Sequence, residues 1–320
     1  MSLLEVEALT VSYGAGPVLR DLSLKVDQGD VVGLVGESGC GKTTLGWSIL
    51  GLLPEHAEVR GAIRFEGRDL TSVSVREHRA LLGDRISIVP QAAMSSLDPM
   101  YTIGDQLVEV IRAHQKLSRA RARDLAVHWL SEVGVPAANT RFNAYPHELS
   151  GGTRQRVAIA SALALNPALL IADEPTSALD VTIQAQILGL LKALIREHAG
   201  AVLLITHDLG VVAQLCNRVA VMYAGDIVEE ASVAGLFADP KHPYTEKLLA
   251  AHPSVGHRGE RLATIPGSVP DPAHRPSGCS FMPRCPRAIS ICAEPPPWVP
   301  LKGRDRYVRC VHYGPDSPAA

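Results

Sequence analysis

Short apolar runs bounded by turn residues alternate with longer stretches of helical spacing along most of the 320-residue chain. Asp30-Val-Val-Gly-Leu-Val35 has the continuous apolar character of a buried strand. A helical pattern follows over residues 42–53, with Gly51 and Pro54 marking its end. From about residue 92 to 164 helical spacing dominates, with Leu107, Val110 and Ile111 on one face and Leu125, Trp129 and Leu130 on another. Strands then resume: Ala168-Leu-Leu-Ile-Ala172, Ala201-Val-Leu-Leu-Ile205 and Arg218-Val-Ala-Val-Met-Tyr223 are short apolar runs. A helix over 183–197 separates the first two in the spacing of a βαβ crossover. The pattern predicts an α/β protein with a helical insertion.

Composition narrows this reading. Hydrophobic residues make up 46% and charged residues 20%, which excludes a disordered chain, and no short-period repetition suggests a coiled coil or solenoid. At about 150 residues per domain the length suggests roughly two domains. The net charge of -2 offers no general attraction for polyanions, so no nucleic-acid partner is expected. The longest uncharged stretch, residues 157–172, is broken by Asn166-Pro167 and is too short to span a bilayer. Glu5 and Glu7 stand where a secretory leader would carry bases, so a cytoplasmic protein is expected. Of 23 prolines, 12 fall between Pro266 and Pro318, so that tail cannot be helical for long. The same segment holds Cys279, Cys285, Cys292 and Cys310, and in a reducing compartment such a cluster favours metal over disulfides.

Gly36-Glu-Ser38-Gly39-Cys40-Gly41-Lys42-Thr43 fits the phosphate-binding loop and sits between the expected strand and helix. Its glycines let backbone N–H groups turn inward on phosphate, Lys42 supplies a point charge, and Thr43 offers a hydroxyl to Mg²⁺; Thr44 follows in the first helical turn. A glycine-rich turn that happens to precede a helix is the bland alternative. Asp173 and Glu174 end an otherwise apolar strand, where Asp173 can hold Mg²⁺ and Glu174 can orient or deprotonate water. Alone, such a pair is more often a solvated strand end. Cys40 lies within the loop, and a thiol exposed there would make ATP binding sensitive to alkylation.

Upstream of the acids stands Leu149-Ser150-Gly151-Gly152-Thr153-Arg154-Gln155-Arg156, which resembles the signature of ABC-type ATPases. The order of the other pieces resembles that family too: Tyr13 before the phosphate loop, Gln91 after a strand, Ser177-Ala-Leu-Asp180 after the acids, and His207 after Ile205-Thr206. The resemblance implies a RecA-like core with an antiparallel β subdomain and a helical subdomain at about 92–164, together spanning residues 1–235. It also implies a head-to-tail dimer with each ATP between one subunit's phosphate loop and the other's signature. Tyr13 would stack on adenine, Gln91 would sense Mg²⁺ and water, and His207 would contact the γ-phosphate. Ser150, Gly151 and Gly152 would reach the partner's ATP, with Asp180 at the dimer seam. Thr153 departs from the usual Gln of the signature.

Further matches, at Asp180-Val-Thr-Ile-Gln-Ala-Gln-Ile-Leu188, His242-Pro-Tyr-Thr-Glu-Lys-Leu-Leu249, Ile265-Pro-Gly-Ser-Val-Pro270 and Gly278-Cys-Ser-Phe-Met-Pro-Arg-Cys-Pro286, resemble the ATPase subunits of bacterial dipeptide and oligopeptide importers. That resemblance implies a peripheral subunit at the cytoplasmic face of the membrane, working with two permease subunits, a paralogous ATPase subunit and an extracytoplasmic binding protein. Residues 94–99, Met-Ser-Ser-Leu-Asp-Pro, would receive the permeases' coupling helices. Motors of nickel importers, and soluble ABC ATPases acting on ribosomes or DNA, are the alternatives. Residues 236–320 would form a C-terminal extension with a four-cysteine site. Its cysteine spacing lacks the Cys-x2-Cys hairpin of zinc ribbons and by itself leaves Zn²⁺, an iron–sulfur cluster or unliganded thiols open. The family resemblance implies a [4Fe–4S] cluster there.

Overall fold

The computed structural model describes residues 2–14, 16–91, 96–177, 179–251, 264–302 and 306–314. Its backbone divides into two compact units, one of residues 27–29 and 72–203, the other of residues 2–26, 30–71 and 204–320.

The second unit opens with β1 (Ser2–Ser12) and β2 (Pro17–Asp27), continues through β3 (Val31–Val35), α1 (Lys42–Leu50), β4 (Glu58–Phe65) and β5 (Arg68–Asp69), and resumes late in the chain. Strands β2-β1-β4-β5 lie side by side in a four-stranded sheet, with β1 and β4 antiparallel. Their register slips between Glu7 and Thr10, where Ala8 adopts φ 47°. Gly61 faces this bulge at φ +95°, and a Cβ on it would lie 2.5 Å from the Ala8 carbonyl oxygen. Only glycine fits so close an approach.

The rest of this unit is built around β3. It is paired in parallel with β9 (Arg218–Tyr223), which runs antiparallel to β10 (Asp226–Ser232). The order continues through β12 (Tyr307–Arg309) to β11 (Trp298–Pro300), so two strands of the proline-rich tail extend the sheet. Helices α8 (Leu209–Leu215), α9 (Val233–Ala238) and α10 (Pro243–Ala250) cover it. Val35, Val219, Val221, Tyr223, Tyr244, Leu249 and Phe281 share one buried cluster, against which Cys279, Cys285, Ile265 and Val269 pack. The tail is therefore no separate Cys- and Pro-rich extension. A segment this poor in helix and this rich in proline has too little apolar surface for a core of its own, and it completes that of the sheet.

The first unit carries α2 (Val75–Leu81), β6 (Ile86–Val89), α3 (Ile103–His114), α4 (Arg119–Glu132), α5 (Ala138–Arg141), α6 (Gly151–Leu163), β7 (Leu169–Asp173) and α7 (Val181–His198). Strands β6 and β7 pair in parallel, and every residue of β7 is buried. The next strand, β8 (Ala201–Thr206), passes from this unit into the other at Leu203. Each of α2, α3, α4, α6 and α7 starts on a Ser, Thr or Asp whose side chain accepts a backbone N–H of its first turn. The expected docking segment at 94–99 lies partly outside the described residues. Among the described residues no helix is long and apolar enough to cross a membrane.

Candidate functional site: the phosphate loop and the acidic strand end

In the second unit the chain leaves the buried end of β3 at Gly36, turns through exposed Ser38 and Gly39, and enters α1 at Lys42. Gly36 is required by close approach, because a Cβ there would stand 2.1 Å from the Met222 carbonyl oxygen. Lys42 is buried, and its Nζ donates to the carbonyl oxygens of Gly36 at 2.8 Å and Glu37 at 3.1 Å. The ammonium thus sits inside the loop with its charge oriented by backbone dipoles. Thr43 and Thr44 are half-buried in the first turn of α1. Cys40 is 1% exposed, and burial pushes its thiol up against the opposing pull of Lys42. The expectation of an alkylation-sensitive thiol requires exposure that Cys40 lacks. Tyr13, half-buried after β1, has its ring 6.1 Å from that of His56. His207 follows β8 and is exposed; Asp208 beside it caps α8.

In the first unit β7 ends with Asp173 buried and Glu174 half-exposed. Two consecutive acids part in this way because Glu174 takes φ 44°, leaving the strand in a left-handed turn. The Gln91 Nε2 donates to Glu174 Oε2 at 3.0 Å. Ser177 closes the turn, its hydroxyl donating to the Glu174 carbonyl at 2.9 Å and to that of Gln91 at 3.2 Å. So Gln91 and Glu174, 83 residues apart, form one hydrogen-bonded group at the strand end. Ser150 is the N-cap of α6, accepting from the Thr153 N–H, with Gly151 and Gly152 as its first helical residues. Gly152 faces α7, where a Cβ would come within 2.8 Å of Ile183 Cγ2. Asp180 caps α7 through the Ile183 N–H at 3.0 Å.

The four tail cysteines line one closed cavity of about 10 Å³ with His242, Phe281 and His312. Burial raises the Cys279 and Cys310 thiols to about 11 and Cys285 in the same direction, and lowers His242 to about 3. No three of the four sulfurs lie within 4.8 Å of one another. Two further groups also touch the phosphate loop: the Tyr244 hydroxyl accepts from the Glu37 N–H at 2.9 Å, and Arg284, in contact with Tyr223, forks the Glu37 carboxylate. Tyr244 and Arg284 lie within the matched segments 242–249 and 278–286, but no short-range signal shows that they reach Glu37, which lies 207 and 247 residues away.

A phosphate loop is common to many nucleotide hydrolases; the Leu149-Ser-Gly-Gly152 helix start, with the Gln91–Glu174 group, narrows the chain to an ATPase of the ATP-binding cassette class. The comparisons with known proteins agree. The ABC transporter family profile matches residues 19–177, and that of the oligopeptide/dipeptide transporter C-terminal region matches 228–292. The dipeptide transport ATP-binding protein DppD of Escherichia coli K12 is 44% identical over 322 residues, covering 99% of this chain and 98% of that protein. The oligopeptide transport ATP-binding protein OppD of Salmonella typhimurium LT2 is 45% identical over 299 residues, 92% of this chain and 89% of that one. Among solved structures, the dimeric ATP-binding cassette MJ0796 bound to ADP and Pi superposes with a TM-score of 0.64 at 27% identity, covering 72% of this chain and 98% of that one. The chain belongs to the family of ATP-binding subunits of bacterial peptide ABC importers, and is an ATP-hydrolysing motor.

Proposed function

We propose that the chain energises import of dipeptides or oligopeptides, working at the cytoplasmic face of the membrane under two permease subunits, beside a paralogous ATPase subunit and fed by an extracytoplasmic binding protein. The observation that carries this reading is the likeness to DppD along the full chain, tail included. A groove of about 640 Å³ in the first unit, lined by Leu97, Asp98, Tyr101, Glu109 and Val110, offers the permeases a receiving surface.

Lys42 and the N–H groups of Gly36 to Thr44 hold the ATP phosphates, Tyr13 meets the adenine, and Thr43, Gln91 and Asp173 attend Mg²⁺. The buried ammonium of Lys42 and the partly exposed hydroxyl of Thr43 suit those tasks. Glu174 orients and deprotonates the attacking water, Gln91 positions its carboxylate, and His207 meets the γ-phosphate. Ser150, Gly151 and Gly152 present a helix N-terminus to the partner subunit's ATP, with Asp180 at the seam.

The tail brings Cys279, Cys285, Cys292 and Cys310 to the lining of one cavity, a donor set suited to a thiolate-bound metal group. Thiols such as Cys279, Cys285 and Cys310, which burial holds above their ordinary range, gain most from a cationic centre that converts them to thiolates. A [4Fe–4S] cluster held by Cys279, Cys285, Cys292 and Cys310 would supply such a centre. Protein purified anaerobically should carry about four iron atoms per chain; iron-free protein, or full iron in Cys279→Ser, would overturn the assignment. The import function is tested by isolating the complex from membranes, reconstituting it in vesicles, and measuring ATP-driven uptake of labelled peptides and of nickel. Uptake of nickel without peptide would overturn it.

A further inference from the structure

The phosphate loop carries an acid where an anion must bind. Glu37, its second residue, would repel a triphosphate unless its charge were compensated. Arg284 compensates it with a paired fork, Nη1 to Oε2 at 2.7 Å and Nη2 to Oε1 at 3.0 Å. The Arg284 side chain is 5% exposed. Its Nε donates to the Pro266 carbonyl at 2.8 Å, Nη1 also to the Tyr223 hydroxyl at 3.2 Å, and Nη2 also to the Ile265 carbonyl at 3.2 Å and that of Gly267 at 3.4 Å. Its guanidinium lies 5.7 Å from the Tyr223 ring centroid and 6.0 Å from that of Phe281. A guanidinium held on every nitrogen has one available position, and it fixes the carboxylate it meets.

The backbone of Glu37 is held as well. Its N–H donates to Tyr244, and its carbonyl accepts from Lys42 Nζ at 3.1 Å and from the Cys40 N–H at 3.3 Å. Tyr244 and Arg284 both belong to the C-terminal quarter of the chain. We propose that Arg284 is a positioning residue of the ATP site: it neutralises Glu37 and locks the phosphate loop in its receiving conformation, so that the tail sets the affinity of the loop for nucleotide. This rests on the reading that the ATP phosphates occupy the loop from Gly36 to Thr43.

The test is a double-mutant cycle on the full chain, with binding of a fluorescent ATP analogue titrated at low and high salt. Arg284→Gln leaves the carboxylate uncompensated and should weaken binding on the order of ten-fold, the scale of a lost charge-assisted hydrogen bond. Arg284→Lys keeps the charge without the fork and should fall between. Glu37→Gln alone should cost little, and adding it to Arg284→Gln should recover part of the lost affinity, because the repelling charge is gone. High salt should narrow the gap between Arg284→Gln and wild type. Arg287→Gln, which breaks the exposed Arg287–Glu246 pair in the same tail, should bind as wild type. Unchanged affinity in Arg284→Gln, or losses from Arg284→Gln and Glu37→Gln that simply add, would overturn the proposal. Should Arg284→Gln fail to fold, Arg284→Lys carries the test: binding equal to wild type at low salt overturns the proposal, and a salt-sensitive loss supports it. Lys42→Ala separates the two readings, since unimpaired ATP binding there would refute the loop assignment itself.

Discussion

At φ 44° Glu174 occupies a backbone conformation that costs a non-glycine residue about 1–3 kcal/mol. That turn separates its carboxylate from the buried Asp173 and delivers it to Gln91. Strain and carboxylate chemistry at Glu174 can be separated by substitution. Glu174→Gln keeps the shape and removes the base, so turnover should drop by about 10²–10⁴ with ATP binding unchanged in an equilibrium titration. Glu174→Gly also removes the base but relieves the strain, and its melting temperature should exceed that of Glu174→Gln. Cys40 offers a simpler test of burial. With its thiol 1% exposed and its ionisation raised, and with Cys216 pushed up to about 12, neither should be alkylated in the native protein at pH 8, while both react once the chain is unfolded. Mass spectrometry after brief iodoacetamide treatment reads this directly; native labelling at Cys40 would contradict it.

Elements whose signal is local were legible in the sequence. The run Arg218 to Tyr223 forms β9 over those same residues, because an apolar stretch bounded by polar turns has no other way to bury itself. The helix expected over 42–53 stops at Leu50 instead. Gly51 turns left-handed at φ 64°, its N–H meets the carbonyls of Ser48 and Trp47, and Leu52 is left 55% exposed, an apolar residue beyond the cap that imitates continued periodicity. Residue spacing alone did not reveal β1 and β4, whose alternation breaks at the bulge beside Ala8. That bulge depends on Gly61. Gly61→Ala places a methyl 2.5 Å from a backbone oxygen at φ +95°, so the strand must shift. The expected cost is about 2 kcal/mol or more, read from the midpoint of urea unfolding. An unchanged midpoint would mean that the β1–β4 pair re-registers at no cost. The candidate site divides the same way: the loop and acid motifs are contiguous and could be read, whereas Tyr244 and Arg284 act on Glu37 across more than 200 residues.

Within the second unit the tail is tied to β2 and β10 through a node that no local pattern announces. Asp226, 3% exposed at the start of β10, accepts Arg20 Nε at 3.1 Å, Arg20 Nη2 at 2.7 Å and the Ser280 hydroxyl at 2.8 Å. Arg20 also donates to the carbonyls of Pro276 and Gly278 at 3.3 Å. One buried carboxylate therefore ties β2 and β10 to the segment that holds Cys279, a stretch too rich in proline to be held by helix of its own. Asp226→Ala should remove this tie and leave the Arg20 charge poorly compensated, costing about 3 kcal/mol, the low end for a broken buried pair because Arg20 stays 28% exposed. For a chain of this length that corresponds to a melting-temperature fall of roughly 4–5 °C. The same variant should weaken ATP binding, since a loosened tail no longer holds Arg284 against Glu37. Ser280→Ala, which removes one neutral donor and leaves the ion pair intact, should lower the melting temperature by only about 1–2 °C and leave nucleotide affinity unchanged. If both variants lost stability equally while binding ATP as wild type, the tail would be a passive cover on the sheet. A loss of affinity that appears only with Asp226→Ala would instead identify the ion pair as the support on which the phosphate loop's outer grip depends.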